Sequence, residues 1–264
     1  MDLGLGGRRA LVSGAHRGTG SGIARVLAAE GAAVAVHGFE PGQADAVVKS
    51  IVAAGGTAVA VHGDILDDAG ASGVMASVVD RLGPIDVLVN NYGTTVGTSW
   101  DTPADQWHEA WERNVLTGVR LAQQVVPGMR QRGWGRIIFV GTIGTARPGD
   151  HNTDYYGAKA ALPVVARSLA KDLGGSGVTV NVVSPGIIAT AEVRQRLQES
   201  AAAAGVGDTW EAAERWGLEH AMPNLTGRIP DPEDIGRVVA FVAGDPAWHI
   251  NGAELRVDGG ALDA

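Results

Sequence analysis

A tyrosine and a lysine four residues apart, Tyr155 and Lys159, are the pair in this sequence best suited to moving a proton. On a helix that spacing sends both side chains off one face. A free phenol ionises near about pH 10, too high for efficient exchange at neutrality, and a neighbouring ammonium favours phenolate and lowers that value. The pair therefore suits general acid–base work on a carbonyl or alcohol oxygen. Lysine is rare here, with only Lys49, Lys159 and Lys171 in the chain, so one at this position is less readily surface filler. Tyr156 lies about 100° round the helix from Tyr155, and spacing alone does not separate the two phenols.

A second cluster could hold an anion. Ser13-Gly14-Ala15-His16-Arg17-Gly18-Thr19-Gly20 follows an apolar run and opens directly into a helical pattern. Glycines there allow a tight turn and let a pyrophosphate approach the helix N-terminus, where free N–H groups and the dipole favour negative charge. By itself a Gly-x3-Gly-x-Gly run in a chain with 39 glycines is weak. Its place at the first strand–helix junction strengthens it.

Both clusters need a scaffold, and the hydrophobic pattern supplies one. Apolar runs at Ala10–Ser13, Ala33–His37, Thr57–His62, Val87–Asn90, Arg136–Val140, Thr179–Val183 and Glu254–Val257 read as strands. Most are apolar without alternation, as strands covered on both faces are. Helical patterns at Ser21–Glu30, Gln43–Ala54, Ala69–Arg81, Pro103–Arg132, Asp154–Leu173 and Pro232–Ala243 separate them. The alternation predicts one α/β domain over residues 1–264, a Rossmann-type doubly wound parallel sheet of about seven strands with helices on both faces. Gly31, Gly55, Gly83 and Gly174 follow helical patterns where a left-handed cap favours glycine. Pro163, inside the helix that carries Tyr155, removes the N–H that would bond the Lys159 carbonyl, so a kink is expected there. The polar, tryptophan-bearing stretch Ala191–Gly227 breaks the rhythm and reads as a lid.

Composition narrows the partners. The net charge of −8 and the scattered arginines argue against nucleic acid or an anionic membrane surface. With no cysteine, disulfides, thiolate metal sites and cysteine nucleophiles are excluded, and nothing calls for a metal. No apolar run approaches the roughly 18 residues of a membrane span, and the N-terminus lacks a signal-peptide pattern. A cytoplasmic location is expected.

Taken in order, Gly14-x3-Gly18-x-Gly20, Asp64, Asn90-Asn91-Tyr92-Gly93, Asn114, Tyr155-x3-Lys159, Pro185-Gly186-Ile187-Ile188-Ala189-Thr190, Asn251-Gly252 and Asp258-Gly259-Gly260 resemble the short-chain dehydrogenase/reductase family along nearly the whole chain. Within it the chain resembles the 3-oxoacyl-carrier-protein reductase branch. The resemblance implies hydride transfer between a nicotinamide cofactor and a ketone or secondary alcohol. It assigns the acid–base role to Tyr155 rather than Tyr156, and the partnering ammonium to Lys159. The family's substrate-holding hydroxyl, 13 residues before the tyrosine, falls on Thr142 where serine is usual. Asn114 falls on a position at a local helix distortion that holds water in a proton relay to the lysine. Trp107 matches a family position and reads as core.

Cofactor contacts carried over from the family fall on Gly14, His16, Arg17, Gly18, Thr19, Gly20, Gly38, Phe39, Asp64, Ile65, Asn91, Gly93, Tyr155, Lys159, Pro185, Gly186, Ile188 and Thr190. Asp64 would bond the adenine amino group, and Asn90 would line the adenosine side. Tyr92 stands where alanine is usual and adds bulk near the cofactor. The acid that marks NAD users at the end of the second strand is replaced by Gly38, while Arg17 could pair with a 2′-phosphate. Phe39 replaces the arginine frequent in NADP users, and Glu40 is close by. The balance favours NADP over NAD.

The expected activity is an NADPH-dependent carbonyl reductase, with an NAD-dependent alcohol or diol dehydrogenase as the variant. A dinucleotide-binding sensor without chemistry is the reading from another class, and the retained tyrosine and lysine count against it. The family's tetramer, built through the helices bearing Asn114 and Tyr155, makes a homotetramer the expected assembly. Leu197, Trp210, Trp216, Leu218, Met222 and Leu225 give the lid apolar surface, expected to close over an apolar or aromatic ketone with His151 and Asn152 near its polar end.

Overall fold

The computed structural model describes every residue of 1–264 except Met222. In chain order the elements are β1 (Arg9–Val12), α1 (Gly18–Ala29), β2 (Ala33–Gly38), α2 (Asp45–Ala53), β3 (Thr57–His62), α3 (Asp68–Leu82), β4 (Val87–Asn90) and α4 (Ala104–Trp111). A π-helical turn (Glu112–Leu116) joins α4 to α5 (Thr117–Arg132). Then follow β5 (Gly135–Val140), α6 (Thr153–Lys159), α7 (Leu162–Asp172), β6 (Val178–Pro185), α8 (Ala191–Ala203), α9 (Trp210–His220), α10 (Pro232–Ala243) and β7 (Glu254–Val257).

All seven predicted strands form one sheet in the order β3-β2-β1-β4-β5-β6-β7, with every pairing parallel. Every residue of the central strands β4, β5 and β6 is buried, which explains their unbroken apolar runs. Alternation survives in which face each side chain serves. Ala10 and Val12 of β1 pack with Ile23 and Leu27 of α1, Ile51 of α2 and Val239 of α10. Leu11 between them points the other way, into the layer of Val74 and Val78 from α3, Leu121 and Met129 from α5, and Leu162 from α7. Chain order reverses between β1 and β4, and there the carboxyl ends of the strands leave a crevice.

Three joints differ from the reading of the sequence. The pattern over Pro103–Arg132 is not one helix, because the π-turn inserts an extra residue per turn around Asn114. The pattern over Asp154–Leu173 is two helices. Pro163 sits in the first turn of α7, where its missing N–H costs nothing, and α6 ends at Lys159. The expected kink is thus a full break at Ala160–Ala161. After α7 the positive φ falls on Gly175 rather than Gly174, while Gly31, Gly55 and Gly83 adopt it as expected.

The stretch Ala191–Gly227 is mostly helical. Thr190 and Thr209 cap α8 and α9 by accepting from the N–H groups of Val193 and Ala212. The two helices share a small core of Leu197, Ala201 and Ala213 with Ala189 and Ile229. Met222 lies outside the described residues.

His37, completely buried in β2, ties the sheet to the glycine loop. Its Nδ1 accepts from the Gly14 N–H at 3.1 Å, and its Nε2 donates to the Gly63 carbonyl at 3.0 Å. Those partners need a neutral ring, and burial pushes its pKa down to about 4 from 6.5. Above pH 6.5 the ring is neutral folded or unfolded. As pH falls toward about 4 only the unfolded chain takes up the proton. Stability should therefore drop by about 3 kcal/mol between those values. Urea melts across that range should show the slope in the native chain and lose it in His37→Asn, whose amide oxygen can still accept from Gly14.

Candidate active site

The crevice is a cleft of about 780 Å³ at the carboxyl ends of β1, β4, β5 and β6. One wall is the glycine loop, with Gly14, His16, Arg17, Gly18, Thr19 and Gly20 all lining it. The opposite wall carries Pro185, Gly186, Ile188 and Thr190, and the floor Asn91, Gly93, Thr142, Tyr155 and Lys159. Most residues expected to meet cofactor or substrate are thus brought together from segments far apart in the chain.

Lys159 is 3% exposed, and its ammonium donates to the Val140 carbonyl at 2.8 Å. Burial lowers its pKa to about 8 from 10.5. Gly93 passes directly over it. A Cβ on Gly93 would lie 2.7 Å from Lys159 Nζ and from Asn114 Oδ1, so any larger residue must displace the amine or the amide. Asn114, in the π-turn, accepts from the Thr94 N–H at 3.0 Å and donates to the Thr94 carbonyl at 3.0 Å and the Ala110 carbonyl at 2.9 Å. Its amide clamps the segment after β4 above the lysine.

Burial also governs Tyr155, pushing the phenol up to about 12, with Tyr156 raising it further and the Thr142 hydroxyl pulling it back. The sequence led us to expect a lowered value. Lys159 spends its ammonium on Val140, 6.0 Å from the Tyr155 ring centre, and desolvation dominates. At neutral pH the group facing the cleft is a protonated phenol beside a charged amine. The Thr142 oxygen accepts from the Gly144 N–H at 3.1 Å, which leaves its own O–H to donate. Tyr156 packs its ring on Gly144, where a Cβ would come within 2.3 Å of it, so it serves as packing. Trp107 fits against Gly157 of α6 and meets Trp100 edge to face.

The glycine wall suits a dinucleotide. A Cβ on Gly20 would sit 2.5 Å from Asn91 Nδ2 and 2.8 Å from the Gly14 carbonyl, closing the cradle. No side chain caps the start of α1, and His16 Nδ1 is buried without a hydrogen-bond partner. When bound there, a nicotinamide dinucleotide would be held by this loop, Asn91 and Thr190.

Some expected contacts lie elsewhere. Gly38, Asp64, Ile65 and Asn90 do not line the cleft. Ile65 is core, Asp64 accepts from the Leu66 N–H at 2.7 Å, and Leu66 forms the wall instead. Both amide atoms of Asn90 are buried without a partner. Trp210 stacks on Arg194 at 3.9 Å and Trp216 on His220 at 4.9 Å, both against the core between α8 and α9 and off the cleft wall. Asn152, left-handed at φ 58°, accepts from the Thr95 hydroxyl and donates its N–H to the Thr98 carbonyl at 2.7 Å. It pins the start of α6 to the segment after β4. His151 is exposed and bonds Asp150.

Several cleft residues escaped the sequence reading: Gln43, Leu66, Thr94, Arg113 and Glu192. None belongs to a motif, and no local pattern marks them. The π-turn at Asn114 carries Arg113 to the cleft, and the Thr190 cap does the same for Glu192.

Comparison with known proteins gives the same picture. The family described as enoyl-(acyl carrier protein) reductase matches residues 14–261. The chain belongs to the short-chain dehydrogenase/reductase family. A 3-oxoacyl-[acyl-carrier-protein] reductase of Pseudomonas aeruginosa is 32% identical over 98% of this chain and 98% of its own. The L-sorbose reductase of Gluconobacter frateurii, solved with NADPH and L-sorbose, superposes with a TM-score of 0.90 at 29% identity over the full length of both chains. A 7α-hydroxysteroid dehydrogenase solved with NADH and 7-oxo glycochenodeoxycholic acid superposes with a TM-score of 0.83 at 29% identity, over 98% of this chain and 96% of its own. As a member of this family the chain is an NAD(P)-dependent oxidoreductase of the CH–OH/C=O couple. Among the described residues no helix is long and apolar enough to cross a membrane.

The packing around Gly93 yields a test. Gly93→Ala should lower kcat/KM by about tenfold or more, since a 1 Å misplacement at a reacting group can cost about 10²-fold. The pH profile should shift as Lys159 is displaced. An alanine variant with native kinetics would show that the lysine is free to move.

Proposed function

We propose that this chain is a cytoplasmic carbonyl reductase that uses NADPH to reduce a ketone to a secondary alcohol. The observation that carries this reading is the convergence of Tyr155, Thr142 and Lys159 on the floor of the one cleft that also holds the glycine loop. Reduction needs a proton donor at the carbonyl oxygen, and a phenol held up to about 12 is a donor throughout the neutral range. The reduced nicotinamide supplies the hydride. Thr142 and Tyr155 hydrogen-bond the carbonyl oxygen, and Tyr155 Oη passes its proton to that oxygen as negative charge builds there. The Lys159 ammonium stabilises the phenolate left behind. Asn114 keeps Thr94 and Gly93 packed over that amine and, in the family's manner, supports the relay through Lys159 that returns a proton to the Tyr155 phenolate.

Arg17, the cation on the glycine loop, favours NADPH through its 2′-phosphate. An NAD-dependent alcohol dehydrogenase is the second reading, favoured by the absence of a basic residue at Phe39. The helical excursion 191–227 serves as the lid, and we assign Trp210 and Trp216 to holding that lid together, with their effect on substrate passing through its shape. Assembly as a homotetramer is supported by the open apolar face between α5 and α7. A recess of about 610 Å³ there is lined by Val119, Val126, Val164 and Leu169, with Val164 62% exposed. Val164→Glu should lower the mass measured by light scattering if this face is the contact.

Tyr155→Phe should lose about 10²- to 10⁴-fold in turnover with cofactor affinity nearly unchanged, while Tyr156→Phe stays active. Thr142→Ser should remain active and Thr142→Ala should not. With Lys159 at about 8 and Tyr155 at about 12, kcat/KM for reduction should be flat below pH 8 and decline above it as the ammonium is lost. Steady-state rates with both cofactors over a ketone panel, followed by nicotinamide absorbance, check all of these. Near-native activity in Tyr155→Phe would overturn the assignment.

A further inference from the structure

Among the described residues, four charged side chains line the cleft: Arg17, Arg113, Lys159 and Glu192. Lys159 lies buried at the catalytic end, and Arg113 pairs with Glu109 at 3.0 Å. That leaves Arg17 as the cation of the glycine loop and Glu192 as the one carboxylate on the cleft wall. They are not independent. Arg17 Nη1 lies 2.6 Å from Glu192 Oε1, so the loop that receives the dinucleotide is tied to the first turn of α8.

The end of β2, where a side chain would ordinarily read the 2′-position of the adenosine ribose, is silent. Gly38 has no side chain to offer. The Phe39 ring packs on Tyr92 at 4.7 Å and on His37 at 5.3 Å. The N–H groups of Phe39 and Glu40 both donate to Gln43 Oε1, at 2.8 and 3.2 Å, and so are occupied. Glu40 is exposed and off the cleft wall, so among the described residues no fixed charge lines the cleft at this strand end to distinguish a hydroxyl from a phosphate.

We propose that Glu192 moderates the preference for NADPH over NADH, by holding Arg17 in an ion pair that a 2′-phosphate must displace before it can use that guanidinium. NADPH must compete with Glu192 for Arg17. NADH makes no claim on Arg17 and binds with the pair intact. Because Glu192 rides on α8, the phosphorylated cofactor also releases the lid helix from the glycine loop, whereas the unphosphorylated one leaves it tethered. An acid in the first turn of a helix also favours the helix dipole, but that effect is the same for either cofactor. Only the competition for Arg17 separates them. Both side chains are largely exposed, so the effect is several-fold and no more.

This inference rests on the dinucleotide reading of the cleft, and one set of titrations separates the two. NADPH and NADH dissociation constants, from nicotinamide fluorescence on the full chain, are compared in wild type, Glu192→Gln, Arg17→Ala and the double variant. Glu192→Gln should tighten NADPH about two- to fivefold and leave NADH within about 1.5-fold, the range an exposed ion pair allows. The gain should vanish in the Arg17→Ala background and shrink in about 1 M salt, where the screening length is near 3 Å. Equal shifts for both cofactors, no shift for NADPH, or a gain that persists without Arg17 would overturn it. If neither dinucleotide binds wild type, the reading of the cleft falls with it; if both bind and Glu192→Gln changes nothing, only the role of Glu192 falls.

Discussion

Keeping a charged amine out of water is the demand that shapes the site. An isolated buried ammonium is costly unless something polar meets it. Lys159 is met by the Val140 carbonyl at the end of β5, which requires that α6 run close over that strand end. The same closeness means that any side chain at position 93 would have to push the amine or the Asn114 amide aside. Gly93 must in turn be held down, and Asn114 does this by bonding both sides of the Thr94 peptide. The π-turn is the local distortion in which Asn114 sits to make those bonds. A helix break, a glycine and a helix defect, far apart in the chain, thus answer one electrostatic problem.

The parallel sheet makes such convergence possible. Its strands end on one side, and the reversal of order between β1 and β4 opens the crevice there. His37 shows how firmly the frame is coupled to its loops. One neutral ring fixes the glycine loop through Gly14 and the end of β3 through Gly63, with its tautomer set by the two partners.

Much of this was legible in the sequence because it is local. Strands covered on both faces announce themselves as apolar runs, and Gly14, Gly18, Gly20, Tyr155 and Lys159 sit in short motifs whose spacing survives into space. What was not legible depends on neighbours distant in the chain. The rise in the Tyr155 pKa comes first from burial and then from the neighbouring Tyr156, and the burial is not encoded in a Tyr-x3-Lys spacing. Glu192 reaches the cleft only because Thr190 starts a helix there. Trp210 and Trp216 read as exposed apolar surface, yet they find Arg194 and His220 within their own excursion. The π-turn was invisible to periodicity, which treats one continuous pattern as one helix.

The excursion formed by α8 and α9 keeps an apolar centre of its own, separate from the two layers that sandwich the sheet. Its joints with the rest fall at Ala189 and Ile229, which belong to that small centre. The buried residues of that centre are shared with neither of the layers that flank β5 and β6. The excursion thus packs as a unit of its own, and a side chain changed within that centre meets first the other members of it.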